Sequence, residues 1–116
     1  MIVGIGTDLC VIERFGAMLR RRPGIAERIL TSGERALPVQ SQAARFAAKE
    51  ALAKALGSPG GMSWLDVEVV RSEAGAPSFV VTGTVAEQVA ELGVTRIHLS
   101  VSHDGGFATA TVVCEA

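Results

Sequence analysis

The sequence predicts an α+β fold, with helices packed on a small antiparallel sheet, and three observations carry that prediction. The apolar pattern runs through strand, helices, hairpin, helix and hairpin, an order that gathers helices against antiparallel strands. Periodicity switches along the chain, helical over 12–22 and 84–92 and alternating over 96–102. The stretch RFAAKEALAKA at 45–55 is rich in the best helix former yet scatters Arg45, Lys49, Glu50 and Lys54 among its alanines. With 116 residues, the chain is read as one domain spanning 1–116.

The elements follow in order. Residues 2–7, IVGIGT, read as a short strand buried on both faces, with Asp8 at its end. In IERFGAMLRRR, Ile12, Phe15, Met18 and Leu19 recur at helical spacing until Pro23-Gly24 stops the pattern. A shorter helical piece, IAERIL, follows. Thr31-Ser32 with Glu34 then has the spacing of a capping box, and Pro38 breaks that turn. The long helix is expected from about Gln42 to Leu56, with Gly57 as a left-handed terminator. SPGGMS at 58–63 is a loop. Trp64–Arg71 and Ser78–Thr82 make a hairpin around a turn at Glu73–Pro77. TVAEQVAEL is an amphipathic helix ending at Gly93. RIHLSVS and FATATVV make a second hairpin around His103-Asp104-Gly105-Gly106.

Bulk composition narrows the function classes. Four Phe, one Trp and no Tyr leave little for a base-stacking nucleic-acid surface. Cys10 and Cys114 sit inside apolar runs near opposite ends, which fits two buried thiols in a reducing compartment better than a disulfide framework. The start, MIVGIGTDL, lacks a basic leader and its apolar run is too short to cross a bilayer, so a cytoplasmic protein without a membrane partner is expected. The net charge of −1 hides an asymmetry: residues 1–58 hold nine Lys/Arg and five Asp/Glu, residues 59–116 two and seven. A basic half suits an anionic partner, although helices rich in Arg beside acidic hairpins would look the same.

Placed around a helix axis, Ala47, Ala48, Ala51 and Ala55 share one side of the long helix. Arg45, Lys49, Leu52 and Leu56 share a second, and Phe46, Glu50, Ala53 and Lys54 a third. An all-alanine side lets another backbone approach closely, so this helix is expected to be packed, and no wide polar face remains. Glu50 and Lys54 have the favourable order of an exposed i, i+4 ion pair, worth about 0.2–0.5 kcal/mol. Periodicity alone leaves that reading and a functional one equally open.

The segments GIGTDLCVIERF, ARFAAKEALAKALG, WLDVEV, GAPSFVVTG and HLSVSHDGGFATATVV occur in that order and cover nearly the whole chain. In order and spacing they resemble the bacterial holo-acyl-carrier-protein synthases, the small 4'-phosphopantetheinyl transferases. The resemblance implies that family's fold and its reaction. The 4'-phosphopantetheine arm of coenzyme A passes to a serine of an apo acyl carrier protein, with Mg²⁺ required and adenosine 3',5'-bisphosphate released, in support of fatty acid biosynthesis. By position, Asp8 and Glu50 match the family's metal-binding acids, Lys54 its active-site lysine and His103 the histidine of its final motif. The resemblance also implies a homotrimer with each active site at a subunit boundary.

Chemistry asks for such residues. Attack on the β-phosphorus of coenzyme A puts charge on the phosphoryl oxygens and the leaving bisphosphate, so positioning and charge stabilisation carry the reaction. Mg²⁺ takes one or two carboxylates and leaves its other positions to water and phosphate. Lys54, one turn beyond Glu50, would meet a phosphate oxygen. Strand alternation puts Leu99, Val101 and His103 on one side and His98, Ser100 and Ser102 on the other. Alone, His103 reads as a structural histidine at the core edge; with the motif it becomes a candidate for binding phosphate. Arg45 and Lys49 are candidates for the coenzyme's 3'-phosphate or for the carrier. Arg14, Met18 and Arg21, at i, i+4 and i+7, make a basic stripe with an apolar anchor that suits an acidic carrier, or else an ordinary solvated face. The rival class is a non-catalytic module that docks acidic helical proteins; a nucleic-acid binder using Arg20–Arg22 is the weakest reading.

Overall fold

The computed structural model describes residues 1–116. Strand β1 (Ile2–Val11) runs antiparallel to β5 (Phe107–Glu115), which pairs on its other side with β4 (Arg96–Asp104), giving a three-stranded sheet in the order β1-β5-β4. A separate two-stranded sheet joins β2 (Val67–Arg71) and β3 (Pro77–Val81). Helices α1 (Ile12–Arg21), α2 (Ile25–Ile29), α3 (Ser32–Arg35) and α4 (Val39–Ala55) intervene between β1 and β2, and α5 (Gly83–Glu91) precedes β4. The expected α+β layering is therefore present, and β4–β5 turns through Gly105 and Gly106, both at positive φ as a tight hairpin requires.

Helix α4 organises the molecule. Its alanine side is fully buried, with Ala43, Ala47, Ala48 and Ala51 excluded from solvent, and it lies across the inner face of the sheet against Ala110, Val112 and Cys114. The approach to β1 is closer still. A Cβ at Gly4 would stand 1.9 Å from the Ala55 carbonyl oxygen, and one at Gly6 would stand 1.8 Å from that of Ala51. Small residues on both elements thus let helix backbone rest on strand backbone. A second cluster, built from Phe15, Ile29, Leu30, Ala43, Ala44 and Ala108, seats α1 and α2 on the N-terminal half of α4.

Several boundaries differ from the sequence reading, each for a physical reason. Asp8 does not end the strand: β1 continues through Leu9, Cys10 and Val11 because these pair with Thr109, Ala108 and Phe107. Nor is β1 buried on both faces. Its inner face meets α4, while Ile5 and Leu9 on the outer face are each 61% exposed. Helix α4 begins at Val39, directly after Pro38, whose ring fixes a φ suited to the entry of a helix. Trp64–Asp66 is a 3-10 turn rather than strand, and Asp66 caps α5 by accepting the Thr84 N–H at 2.8 Å and its hydroxyl at 2.6 Å. The capping box at Thr31 and Glu34 is present as expected. No helix is long and apolar enough to cross a membrane.

Candidate active site

Asp8 projects from the middle of β1 on the inner side of the sheet, opposite Ala110. Glu50 and Lys54, one turn apart on α4, lie across from it because Gly4 and Gly6 bring helix and strand together. The three side chains line one hollow of about 370 Å³, shared with Cys10, Arg14, Phe15, Met18 and Phe46. Two acids 42 positions apart in sequence therefore meet in space, as the metal assignment requires. The Lys54 ammonium donates to Asp8 Oδ1 at 3.1 Å and to the Thr7 carbonyl at 3.0 Å.

Electrostatics single out this hollow. Burial holds Glu50 above the usual carboxylate range, and the neighbouring Asp8 adds to the shift while Lys54 opposes it. Burial likewise raises the Cys10 thiol, helped by Asp8 and Glu50. A cation added beside Asp8 and Glu50 would relieve the crowding of negative charge. The donor set consists of two hard carboxylates on facing elements, with open space before them for water and phosphate oxygens, and this fits Mg²⁺. No group of three potential metal-ligating side chains is assembled, so a cation bound here would have at most these two carboxylates from the chain.

A second cavity, of about 240 Å³, abuts Glu50 from the other side and is lined by Leu52, Met62, Trp64, Val67 and Val85 among others. It is the more apolar of the two and lies between α4, the 58–63 loop, the Trp64 turn and α5. Sequence reasoning missed it, since Trp64 and Val67 read only as part of a hairpin strand. Cys10, read from sequence only as a buried thiol, joins the site because β1 continues past Asp8 and alternation puts both on one face.

The remaining predicted residues divide. Arg14 and Met18 border the Asp8 hollow, whereas Arg21 is exposed at the end of α1 and does not line it. His103 is on the inner side of β4, as alternation predicted, but it opens into a separate hollow with Glu13, Gln40 and Asp104, and Gln40 Nε2 lies 2.7 Å from its Nδ1. Within one chain it does not join Asp8, Glu50 and Lys54. Arg45 is buried, donates weakly to the Ser41 carbonyl at 3.4 Å and keeps Nε without a partner. Lys49 must be withdrawn as a ligand for phosphate. Its ammonium is 2.6 Å from Glu34 Oε1 and donates to the Ile29 and Trp64 carbonyls at 2.9 and 3.0 Å, so no donor is left for substrate. Burial pulls Lys49 below its ordinary value, and Glu34 offsets part of that.

A family model for the 4'-phosphopantetheinyl transferase superfamily matches residues 4–112. The holo-[acyl-carrier-protein] synthase of Clavibacter michiganensis is 60% identical over 115 residues, covering 99% of this chain and 97% of that protein. The chain belongs to the holo-[acyl-carrier-protein] synthases. The enzyme of that name from Streptomyces griseus is 54% identical, with 99% of each chain covered. Among solved structures, the synthase of Neisseria meningitidis superposes with a TM-score of 0.91 at 34% identity over the whole of both chains. That of Helicobacter pylori, a complex with coenzyme A, gives a TM-score of 0.83 at 33% identity, covering 96% of this chain and 99% of that one. The enzyme is thus a 4'-phosphopantetheinyl transferase, and its fold is the family's.

Proposed function

We propose that the enzyme transfers the 4'-phosphopantetheine group of coenzyme A to a serine of an apo acyl carrier protein in fatty acid biosynthesis, with Mg²⁺ held by Asp8 and Glu50. The observation that carries this reading is the convergence of Asp8, Glu50 and Lys54 in one hollow bordered by Arg14 and Met18. The relative from Helicobacter pylori with coenzyme A bound supports the donor.

When bound, Mg²⁺ supplies neutralisation of the diphosphate and of the charge that grows as the bond to the bisphosphate breaks. Asp8 and Glu50 hold it. The ammonium of Lys54, hydrogen-bonded to Asp8, would bind a phosphoryl oxygen and stabilise the transition state. The apolar cavity on the far side of Glu50 receives an uncharged part of the donor, which orients the β-phosphorus toward the hollow. The carrier docks over α1 through Arg14, Met18 and Arg21, its serine entering beside Asp8, and solvent at the open mouth takes the serine proton.

His103 completes the site from a neighbouring subunit of a homotrimer. The outer face of the β1-β5-β4 sheet supports assembly, because Ile5, Leu9 and Phe107 stand exposed there on a short sheet with no layer over it. Arg45, whose Nε is sealed from solvent, is assigned to the donor's 3'-phosphate alongside His103 only by its place in the family motif. The 116 residues act as one domain in the cytoplasm.

The test is direct. Incubated with coenzyme A, Mg²⁺ and an apo acyl carrier protein from fatty acid synthesis, the enzyme should add one phosphopantetheine to the carrier's mass. An unchanged carrier mass would end the proposal. Omitting Mg²⁺ should stop the reaction, and light scattering should report three chains per particle.

A further inference from the structure

We propose that the buried Glu34–Lys49 pair is a positioning device that pre-forms the wall of the donor cavity; this rests on the transferase reading above. The pair joins more segments than an ion pair needs. Lys49, adjacent to Glu50 on α4, gathers the Glu34 carboxylate at 2.6 Å, the Ile29 carbonyl at the end of α2 and the Trp64 carbonyl of the 3-10 turn. Glu34 accepts in addition from the Thr31 N–H at 2.8 Å and, through its other oxygen, from the Val69 N–H of β2 at 2.9 Å. Both side chains are almost wholly buried, at 1% exposure each.

Two stretches that are distant in sequence, 29–34 and 64–69, are therefore pinned to one point on α4. Two of the residues at that point, Lys49 and Trp64, line the cavity that abuts Glu50, together with Val67, two residues before Val69 on β2. The aromatic ring of Trp64 continues the wall toward Phe46, 5.4 Å away, which lines the Asp8 hollow. A buried ion pair is a poor source of stability compared with apolar residues of the same volume. Its particular contribution is geometric: every hydrogen bond it makes has a direction, and together they fix the Trp64 turn relative to Glu50. The ammonium and carboxylate are spent on each other and on main-chain groups, so the pair acts through the wall it holds.

The test compares wild type with Lys49→Met and with the neutral double variant Glu34→Gln/Lys49→Met, at a temperature where circular dichroism reports native fold. Rates are measured against coenzyme A and against apo carrier separately. The KM for coenzyme A should rise about tenfold, because the wall no longer places the donor. At saturation kcat should stay within about twofold and the KM for carrier should not move. Variants that melt earlier but keep the KM for coenzyme A would overturn the proposal, and so would a fall in kcat at constant KM. A second measurement does not depend on either variant folding. Hydrogen exchange in wild type should find the amides of residues 64–67 equally protected with and without coenzyme A. Protection that appears only on adding coenzyme A would mean the wall is not pre-formed and the proposal is wrong. If wild type fails to load carrier, the transferase reading falls instead, and the exchange result still decides the pair.

Discussion

Helix α4 carries two lysine–carboxylate pairs five residues apart, and they could hardly differ more. Lys49–Glu34 is sealed from solvent, and its ammonium and carboxylate spend their hydrogen bonds on each other and on main-chain groups of two distant stretches. Lys54–Asp8 is open, with the lysine side chain half exposed, and it makes one further bond, to the Thr7 carbonyl. The first pair has nothing left to offer a ligand. The second can exchange partners at little cost, since an exposed pair contributes only about 0–1 kcal/mol. Scaffold and site are thus distinguished by unused hydrogen-bonding capacity rather than by residue type.

The sharpest way to break that comparison is to unpair each lysine. Lys49→Met leaves the Glu34 charge buried and bare, and should cost about 3–5 kcal/mol of stability in urea unfolding. A loss near zero would make the sealed pair as dispensable as the open one. Asp8→Ala should leave the unfolding midpoint nearly unchanged while removing one of the two carboxylates proposed to hold Mg²⁺. With several kcal/mol of transition-state stabilisation lost, carrier loading should slow by about 10³-fold in a gel-shift or mass assay. Lys54→Met should also fold normally and slow loading by about 10²-fold, the scale expected when one charge-stabilising donor is lost. Near-normal loading by Lys54→Met would return that residue to the role of a solvated surface charge.

The smallest effect belongs to a carboxylate outside both pairs. Hydrogen bonds from Thr84 hold Asp66 below the usual aspartate range. Because its folded value is depressed, the stability it contributes is present above the unfolded value and lost as pH falls through the folded one. Asp66→Asn should therefore lie slightly below wild type in thermal stability near neutrality, and the gap should close in acid. A gap that persists unchanged at low pH would show that the carboxylate charge is not what caps α5.

Much of this arrangement was legible in the sequence. The alanine side of α4 announced the close approach of another backbone, and the faces assigned to Glu50, Lys54 and His103 follow from periods of helix and strand. What escaped was long-range. Glu34 read as the acid of a capping box, which it is, and nothing local says that the same carboxylate also receives Lys49 from 15 residues downstream. Lys49 consequently read as a free cation beside Arg45. The polar pair Thr7-Asp8 looked like the end of a strand because the pairing that extends it, with Phe107–Thr109, comes from the far end of the chain. His103 lies on the predicted side of β4, yet its distance from the other site residues depends on how three strands are ordered, which no single segment encodes.

The contact of Gly4 and Gly6 with the carbonyls of Ala51 and Ala55 has one more consequence. Because main chain abuts main chain there, the distance between the backbones that carry Asp8 and Glu50 is gauged by atoms that no rotamer change can move. The spacing of those two elements is therefore adjustable from a residue that carries no functional group: a methyl group at Gly6, 1.8 Å from the Ala51 carbonyl oxygen, would wedge the helix outward from the strand.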